Sequence, residues 1–237
     1  MARTRTATIE RRIEDIVADY SSDKRGQYEL AANRLIEDLA QDAVLSRFIH
    51  STKYRAKDPE HLEAKLHRKA DEFNEKKEPF PFTVENYEDL IEDLGGCRLL
   101  HIHTKQMAEI HPRIKEVLSK LKYILSASPV SYTWDIENEK LFKGLGATVV
   151  VRDSFYTSTH YSVKVHGMAK KCELQVRTLA EELWGEVSHS INYPNETNSI
   201  ACAEQLLALA RFSSGCSRLV DSLFASRDEY NQLKENL

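Results

Sequence analysis

Apolar residues recur along the first part of the chain in steps of three and four. They fall at Ile9, Ile13, Ile16, Val17 and Tyr20, and again at Leu35, Ile36, Leu39, Val44 and Phe48. Such steps line one face of a helix, and the polar Ser21-Ser22-Asp23 interrupts the stripe, so the spacing predicts two amphipathic helices with a break between them. After a short extended segment, Ile49 to Lys57, the run Asp58-Pro59-Glu60 predicts a helix start. Aspartate would cap it and proline would sit in its first turn, and the helix runs toward Phe73. Thr83 is expected to cap a short helix through Leu94 that Gly95-Gly96 terminates. Cys97 to His103 reads as a buried strand and Lys105 to Lys122 as a helix.

The period then shortens. Tyr123-Leu125, Ala147-Val151, His160-Val165 and Lys171-Val176 are expected strands, the last two joined by a turn at His166-Gly167, while Trp134 to Phe142 fits neither period. Helical spacing returns at Thr178, stops near Asn192-Tyr193-Pro194 and resumes from Ser199 to the end. There Leu206, Leu207, Leu209, Phe212, Leu219, Val220, Leu223 and Phe224 form an apolar face that either covers the sheet or meets another subunit. The order predicts a mixed α/β fold: a helical extension over 1–48, a strand-and-helix domain over 49–195, and a second helical extension over 196–237.

Composition narrows the function classes. The 237 residues are 41% hydrophobic and 30% charged, enough to bury a core and to exclude general disorder. With 33 Lys and Arg against 37 Asp and Glu, the formal charge is -4, unlike a generic nucleic-acid coat. Cys97, Cys172, Cys202 and Cys216 form no CxxC pair and have no histidines at metal-site spacing, so they read as core residues of a reducing compartment. No run of 18 apolar residues occurs and the first residues are polar, so a cytoplasmic protein without a membrane segment is expected.

Four polar clusters fall at expected element ends. Arg55 and Lys57 share a face of an extended segment, and Lys65, Arg68 and Lys69 recur about one helical turn apart, a basic wall suited to polyphosphate or simply a solvated helix face. Asp93-Leu94-Gly95-Gly96-Cys97-Arg98 sets an acid able to hold Mg²⁺ before a strand that carries a planar guanidinium. Phe155-Tyr156-Thr157-Ser158-Thr159-His160 offers a stacking ring at Tyr156 and, at Ser158 and His160, groups that bind phosphate or ribose. In Glu173-Leu174-Gln175-Val176-Arg177-Thr178, strand alternation puts Glu173, Gln175 and Arg177 on one face. Glu173 is also a candidate general base. Glu186 and His189, three apart on a helix, are candidates to brace Arg177 or the metal site. His101, His103, Trp134 and Phe142 read as structural.

In this order the clusters resemble the synthetase domain of the RelA/SpoT family over about residues 45 to 195. The carrying motifs are Arg55 through Lys69, then Asp-x-x-Gly-x-Arg, Tyr-x-Ser-x-His and Glu-x-Gln-x-Arg-Thr. The resemblance implies a nucleotidyltransferase-like fold, a mixed five-stranded sheet flanked by helices. It also implies transfer of the β,γ-pyrophosphate of ATP to the 3′-OH of GDP or GTP, making (p)ppGpp. By the same resemblance Arg55 and Arg98 would sandwich the adenine, and Lys57, Lys65 and Arg68 would contact the ATP phosphates. Asp93 and Glu173 would carry Mg²⁺. Tyr156 would stack on the acceptor base with Ser158 and His160 beside it, and Gln175 and Arg177 would support the catalytic strand.

The chain departs from the family pattern in one loop. Where members commonly have Gly-Tyr-Arg-Ser, it reads Phe155-Tyr156-Thr157-Ser158. That leaves a toxin-type member open, acting on adenosine nucleotides or tRNA 3′ ends beside an antitoxin, and also a non-catalytic nucleotide-binding module. No His-Asp dipeptide occurs, so a synthetase-only member is expected, with a homo-oligomer through its terminal helices as a possible assembly.

Overall fold

Strand alternation divides one sheet into an apolar face and a polar face, and the helices distribute themselves accordingly. The computed structural model describes residues 2–192 and 197–235, so the expected stop at Tyr193-Pro194 lies outside the described residues. In chain order the elements are α1 (Ala2–Asp19), α2 (Arg25–Ala40), β1 (Ser51–Ala56), α3 (Pro59–Glu75), α4 (Tyr87–Leu90), β2 (Gly95–His101) and α5 (Met107–Lys120). They continue with β3 (Ile124–Leu125), β4 (Val130–Thr133), α6 (Ile136–Gly144), β5 (Thr148–Val151), β6 (Ser158–Lys164), β7 (Lys171–Thr178), α7 (Leu179–Asn192) and α8 (Ile200–Glu235).

The sheet is mixed, as expected, but has seven strands. Its order is β1-β2-β7-β6-β4-β5, with the two-residue β3 also paired to β6. β2 and β7 run parallel near its centre, β4 and β5 run parallel at one edge, and the remaining pairs are antiparallel. The two strands beyond the five implied are β1, which the sequence showed only as an extended segment, and the four-residue β4.

Along β7 the residues Cys172, Leu174 and Val176 are buried while Glu173 and Gln175 between them are partly open. The apolar face carries these residues with Cys97, Leu99, Tyr161 and Val163. It packs against Ala31, Ala32, Leu35 and Leu39 of α2 and Met107, Ile110, Ile114 and Val117 of α5. A second core joins Ile13, Ile16 and Tyr20 to Leu62 and Leu66 of α3 and to Phe80, Phe82, Tyr87, Ile91 and Leu94. The break between α1 and α2 is a π-type turn over Tyr20–Lys24, where Ser22 leaves helical geometry. Asp58 caps α3 by accepting from the Glu60 amide at 2.9 Å, and proline follows it in the first turn.

Two expectations change. The helix expected from Thr83 to Leu94 shortens to α4, and Gly95-Gly96 opens β2 rather than ending a helix. A side chain at Gly95 would place its Cβ 2.7 Å from the Cys172 sulfur and 3.2 Å from the Tyr28 carbonyl, so the glycine lets α2 approach the sheet closely. Of the four cysteines only Cys97 and Cys172 are in the core, with Cys202 half-buried and Cys216 exposed.

The C-terminal stretch is a single helix; Leu206 and Ala210 are buried, but beyond them most of its large apolar residues turn outward. The residues of α8 turned inward include Ser213, Ser214, Ser217 and Asp221, whereas Phe212, Leu219, Leu223, Tyr230 and Leu233 are each more than half exposed. The inward residues dock through polar contacts. Ser214 donates to Asp135 at 2.6 Å, the Ser217 and Thr178 hydroxyls lie 3.1 Å apart, and Asp221 accepts from the Lys105 amide at 2.9 Å and meets His103 Nδ1 at 2.5 Å. His103 is therefore structural, as expected. So is Trp134, whose ring lies 4.6 Å from that of Phe155.

Candidate active site

The polar face of the sheet is where the sequence clusters meet. Register puts Arg55 of β1 opposite Gly96, Arg98 of β2 opposite Gln175, and His160 of β6 opposite Gln175 on its other side. Opposed residues share a face, so Arg55, Arg98, Glu173, Gln175, Arg177 and His160 point the same way. All of these but His160, which stands behind Glu173, line a cleft with two connected parts. The smaller, of about 250 Å³, is lined by Lys53, Arg55, Asp93, Arg98, Glu173 and Gln175 among others. The larger, of about 1040 Å³, is lined by Arg68, Tyr156, Arg177, Trp184, Leu206 and Leu207 among others, and Arg55, Arg98, Gln175 and His189 border both.

Asp93 is gripped from two elements. Lys57, just past β1, and Lys65, on the face of α3, each donate to one of its carboxylate oxygens at 2.7 Å. Burial pushes this carboxyl up, but the two ammonium groups outweigh it and hold it down at about 2. Burial also lowers Lys57, against the pull of Asp93. The N-terminal helices fix this corner, because the Tyr20 hydroxyl donates to the Lys57 carbonyl at 2.8 Å and lies 3.2 Å from that of Leu94. Lys69 pairs instead with Glu72 at 2.6 Å.

Glu173 anchors a polar chain across β6 and β7. Its Oε1 lies 2.9 Å from His160 Nδ1, its Oε2 accepts from Gln175 Nε2 at 2.7 Å, and His160 Nε2 lies 2.9 Å from the Tyr156 hydroxyl. Burial opposes ionisation of Glu173, yet His160 and Gln175 prevail and lower its pKa. A carboxyl so held is a better cation ligand than proton acceptor. With His160 donating through Nδ1, its Nε2 accepts from Tyr156, which orients the ring. Ser158 is not brought onto the cleft wall: it is fully buried, with its hydroxyl 3.5 Å from the Val176 carbonyl.

The loop before β6 departs from a glycine pattern at a cost. Phe155 adopts φ +62°, a region that disfavours side chains, and is held there between Trp134 and the guanidinium of Arg211, 5.3 Å from its ring centre. Thr157 is buried, and the cations against this loop are Arg211 at Phe155 and Arg177, 6.0 Å from the Tyr156 ring centre, while Arg152 stacks 4.6 Å over Tyr132 of β4.

Helix α7 closes one side of the cleft. Thr178 and Glu181 form a reciprocal cap at its start: the Thr178 amide donates to Glu181 at 2.7 Å, and the Glu181 amide donates to the Thr178 hydroxyl at 3.2 Å. This sets the register that turns Glu182 inward. Arg177 is braced by Glu182, 2.5 Å away, rather than by Glu186 or His189, while Glu186 pairs with Arg98. Sequence reading places Lys53 only in a basic stretch and Glu182 only in a closing helix, and assigns neither to the site. The reciprocal cap, Thr-x-x-Glu directly after the strand, is the signal that would have turned attention to Glu182.

The donor set of the smaller cavity suits a hard divalent cation. Asp93 and Glu173 present carboxylate oxygens, and among the described residues no group of three or more His, Cys, Asp or Glu would hold a metal by itself. That agrees with Mg²⁺, which takes one or two carboxylates and completes its shell with phosphate and water.

Comparison with known proteins places the fold. A family profile described as "Region found in RelA / SpoT proteins" matches residues 54–198. No curated protein matches the chain significantly. Among solved structures, a GTP pyrophosphokinase family protein from Streptococcus pneumoniae aligns with a TM-score of 0.64 at 16% identity, over 89% of this chain and 96% of that one. The small alarmone synthetase 1 of Bacillus subtilis, bound to its product pppGpp, aligns with a TM-score of 0.55 at 20% identity, over 86% and 94%. The same synthetase bound to AMPCPP gives 0.52 at 15% identity, over 86% and 96%. At these identities the likeness is one of fold.

Proposed function

Because the chain belongs to the RelA/SpoT family, we propose that it is an ATP-dependent pyrophosphotransferase that makes (p)ppGpp from GDP or GTP. The observation that carries this reading is the meeting of two acids, Asp93 and Glu173, with Arg55, Arg98 and Gln175 around one cavity, and of Lys57 and Lys65 at its Asp93 corner. The 3′-OH oxygen of the acceptor bonds to the β-phosphorus of ATP, the bond from that phosphorus to the bridging α,β-oxygen breaks, AMP leaves, and the hydroxyl proton passes to solvent or base. Such a transfer calls for positioning and charge neutralisation more than for covalent help.

In this reading Arg55 and Arg98 face the adenine, and Lys57, Lys65 and Arg68 the ATP phosphates. Tyr156 faces the acceptor base with His160 beside it, and Ser158 supports that strand from beneath. Gln175 and Arg177 hold the catalytic strand in place. Asp93 and Glu173 would hold Mg²⁺, which when bound neutralises charge on the polyphosphate. The outward apolar stripe of α8 supports a homo-oligomer through the terminal helices.

The test is incubation with γ-labelled ATP and Mg²⁺ in separate reactions with GDP, GTP, GMP, ADP and tRNA, with Glu173→Gln as control. Label moving to GDP or GTP, and lost in the variant, is the expected result. Label on ADP or tRNA overturns the acceptor, and absence of transfer to every acceptor while ATP binds overturns the enzyme.

A further inference from the structure

Three cations on three adjacent strands converge on one buried carboxylate. Lys53 of β1 and Arg98 of β2 donate to Oε1 of Glu182 at 2.9 and 3.0 Å, and Nη2 of Arg177 on β7 lies 2.5 Å from its Oε2. Glu182 is 6% exposed, and Arg177 only 3%. Burying a carboxylate is costly unless it is paired, and here one side chain of α7 answers charges from three neighbouring strands.

Attachment of α7 does not require this arrangement. The helix is already fixed at its start by the Thr178–Glu181 cap, and the Trp184 indole donates to the Leu206 carbonyl at 2.9 Å. The backbone is also shaped around the guanidinium. A Cβ at Gly185 would fall 2.7 Å from Arg177 Nη1, so Glu182 and Gly185, one turn apart, form a slot in which this guanidinium fits only because position 185 has no side chain. All three cations border the nucleotide cleft described above, while Glu182 borders neither part of it.

We infer that Glu182 is a positioning residue: without touching nucleotide, it fixes Lys53, Arg98 and Arg177 at set points on the cleft wall. The inference rests on the reading that nucleotide binds in this cleft. Its consequence separates attraction from alignment. Neutralising Glu182 leaves the cleft more positive, which favours any polyanion, but frees the cations to wander, which penalises a ligand that must be held in one pose.

The experiment compares wild type, Glu182→Gln and Glu182→Asp by calorimetric binding of inorganic tripolyphosphate and of ATP, by steady-state transfer, and by thermal melting. In the Gln variant, tripolyphosphate affinity is expected to hold or tighten, ATP affinity to fall severalfold, and kcat to fall about tenfold or more. The Asp variant keeps the charge but retracts it by one methylene. It should fold if the Gln variant does not, keep wild-type tripolyphosphate affinity, and still lose kcat. Equal weakening of both ligands in step with a lost folded fraction would make the role structural and overturn the inference, as would unchanged ATP binding and kcat. If wild type transfers nothing, the proposed activity fails, yet the ratio of ATP to tripolyphosphate affinity still decides the role of Glu182.

Discussion

Asp93 holds two ammonium groups, and its pKa of about 2 lies below the ordinary 3.8. A carboxyl depressed on folding stabilises the protein at pH values above its unfolded pKa, and that gain disappears as pH falls from about 4 to about 2. The shift corresponds to about 2 kcal/mol. Denaturation titrations across this window should show Asp93→Asn lacking that part of the wild-type pH dependence. At pH 7 the variant should be destabilised by about 2 kcal/mol, with Lys57 and Lys65 left facing each other. Equal slopes in the two proteins would contradict this. At this scale much of the site was legible from sequence, because Glu173, Gln175 and Arg177 obey the two-residue period of a strand and Lys65 and Arg68 share a helix face. Lys53 and Glu182 were not, since they meet across 129 positions and no local period links them.

Elements carry their own test at Gly185. Alanine favours a helix interior over glycine by about 1 kcal/mol, but here its methyl would displace the Arg177 guanidinium. Gly185→Ala should therefore lose most of the proposed transfer while still melting cooperatively, a few degrees below wild type, because the displaced guanidinium leaves its buried pairing with Glu182. A variant that keeps full turnover would show that the Arg177 placement is idle. The long helices and the strands β2, β6 and β7 were readable because each spans several repeats of its period. The short β4 was not, and neither was the early end of α4, where hydrogen bonding of Gly95-Gly96 between β1 and β7 overrides the usual tendency of glycine to stop a helix.

Across the whole molecule, the terminal segments build the site rather than flank it. Tyr20 ties α1 and α2 to the Lys57 and Leu94 backbone, and Leu206 and Leu207 of α8 form cleft wall. The outward residues Phe212, Leu219 and Leu223 leave α8 with an apolar stripe facing away from the body. Leu219→Lys with Leu223→Lys should shift the protein to a smaller species by light scattering at micromolar concentration without lowering its melting temperature by more than a few degrees. Identical masses before and after would remove the stripe from any assembly. Periodicity revealed this stripe, but not its direction, because serine and aspartate take the inward positions only where Asp135, Thr178 and His103 await them.

That inward face has a thermal consequence. From Ser213 to Asp221 the helix adheres through hydroxyl, carboxylate and imidazole groups, so lifting this stretch away uncovers few methyl groups and involves little change in heat capacity. The apolar core beneath the sheet weakens on cooling as the hydrophobic driving force fades. The grip on α8 between Ser213 and Asp221 should therefore change less from cold to warm than the packing of the apolar core does.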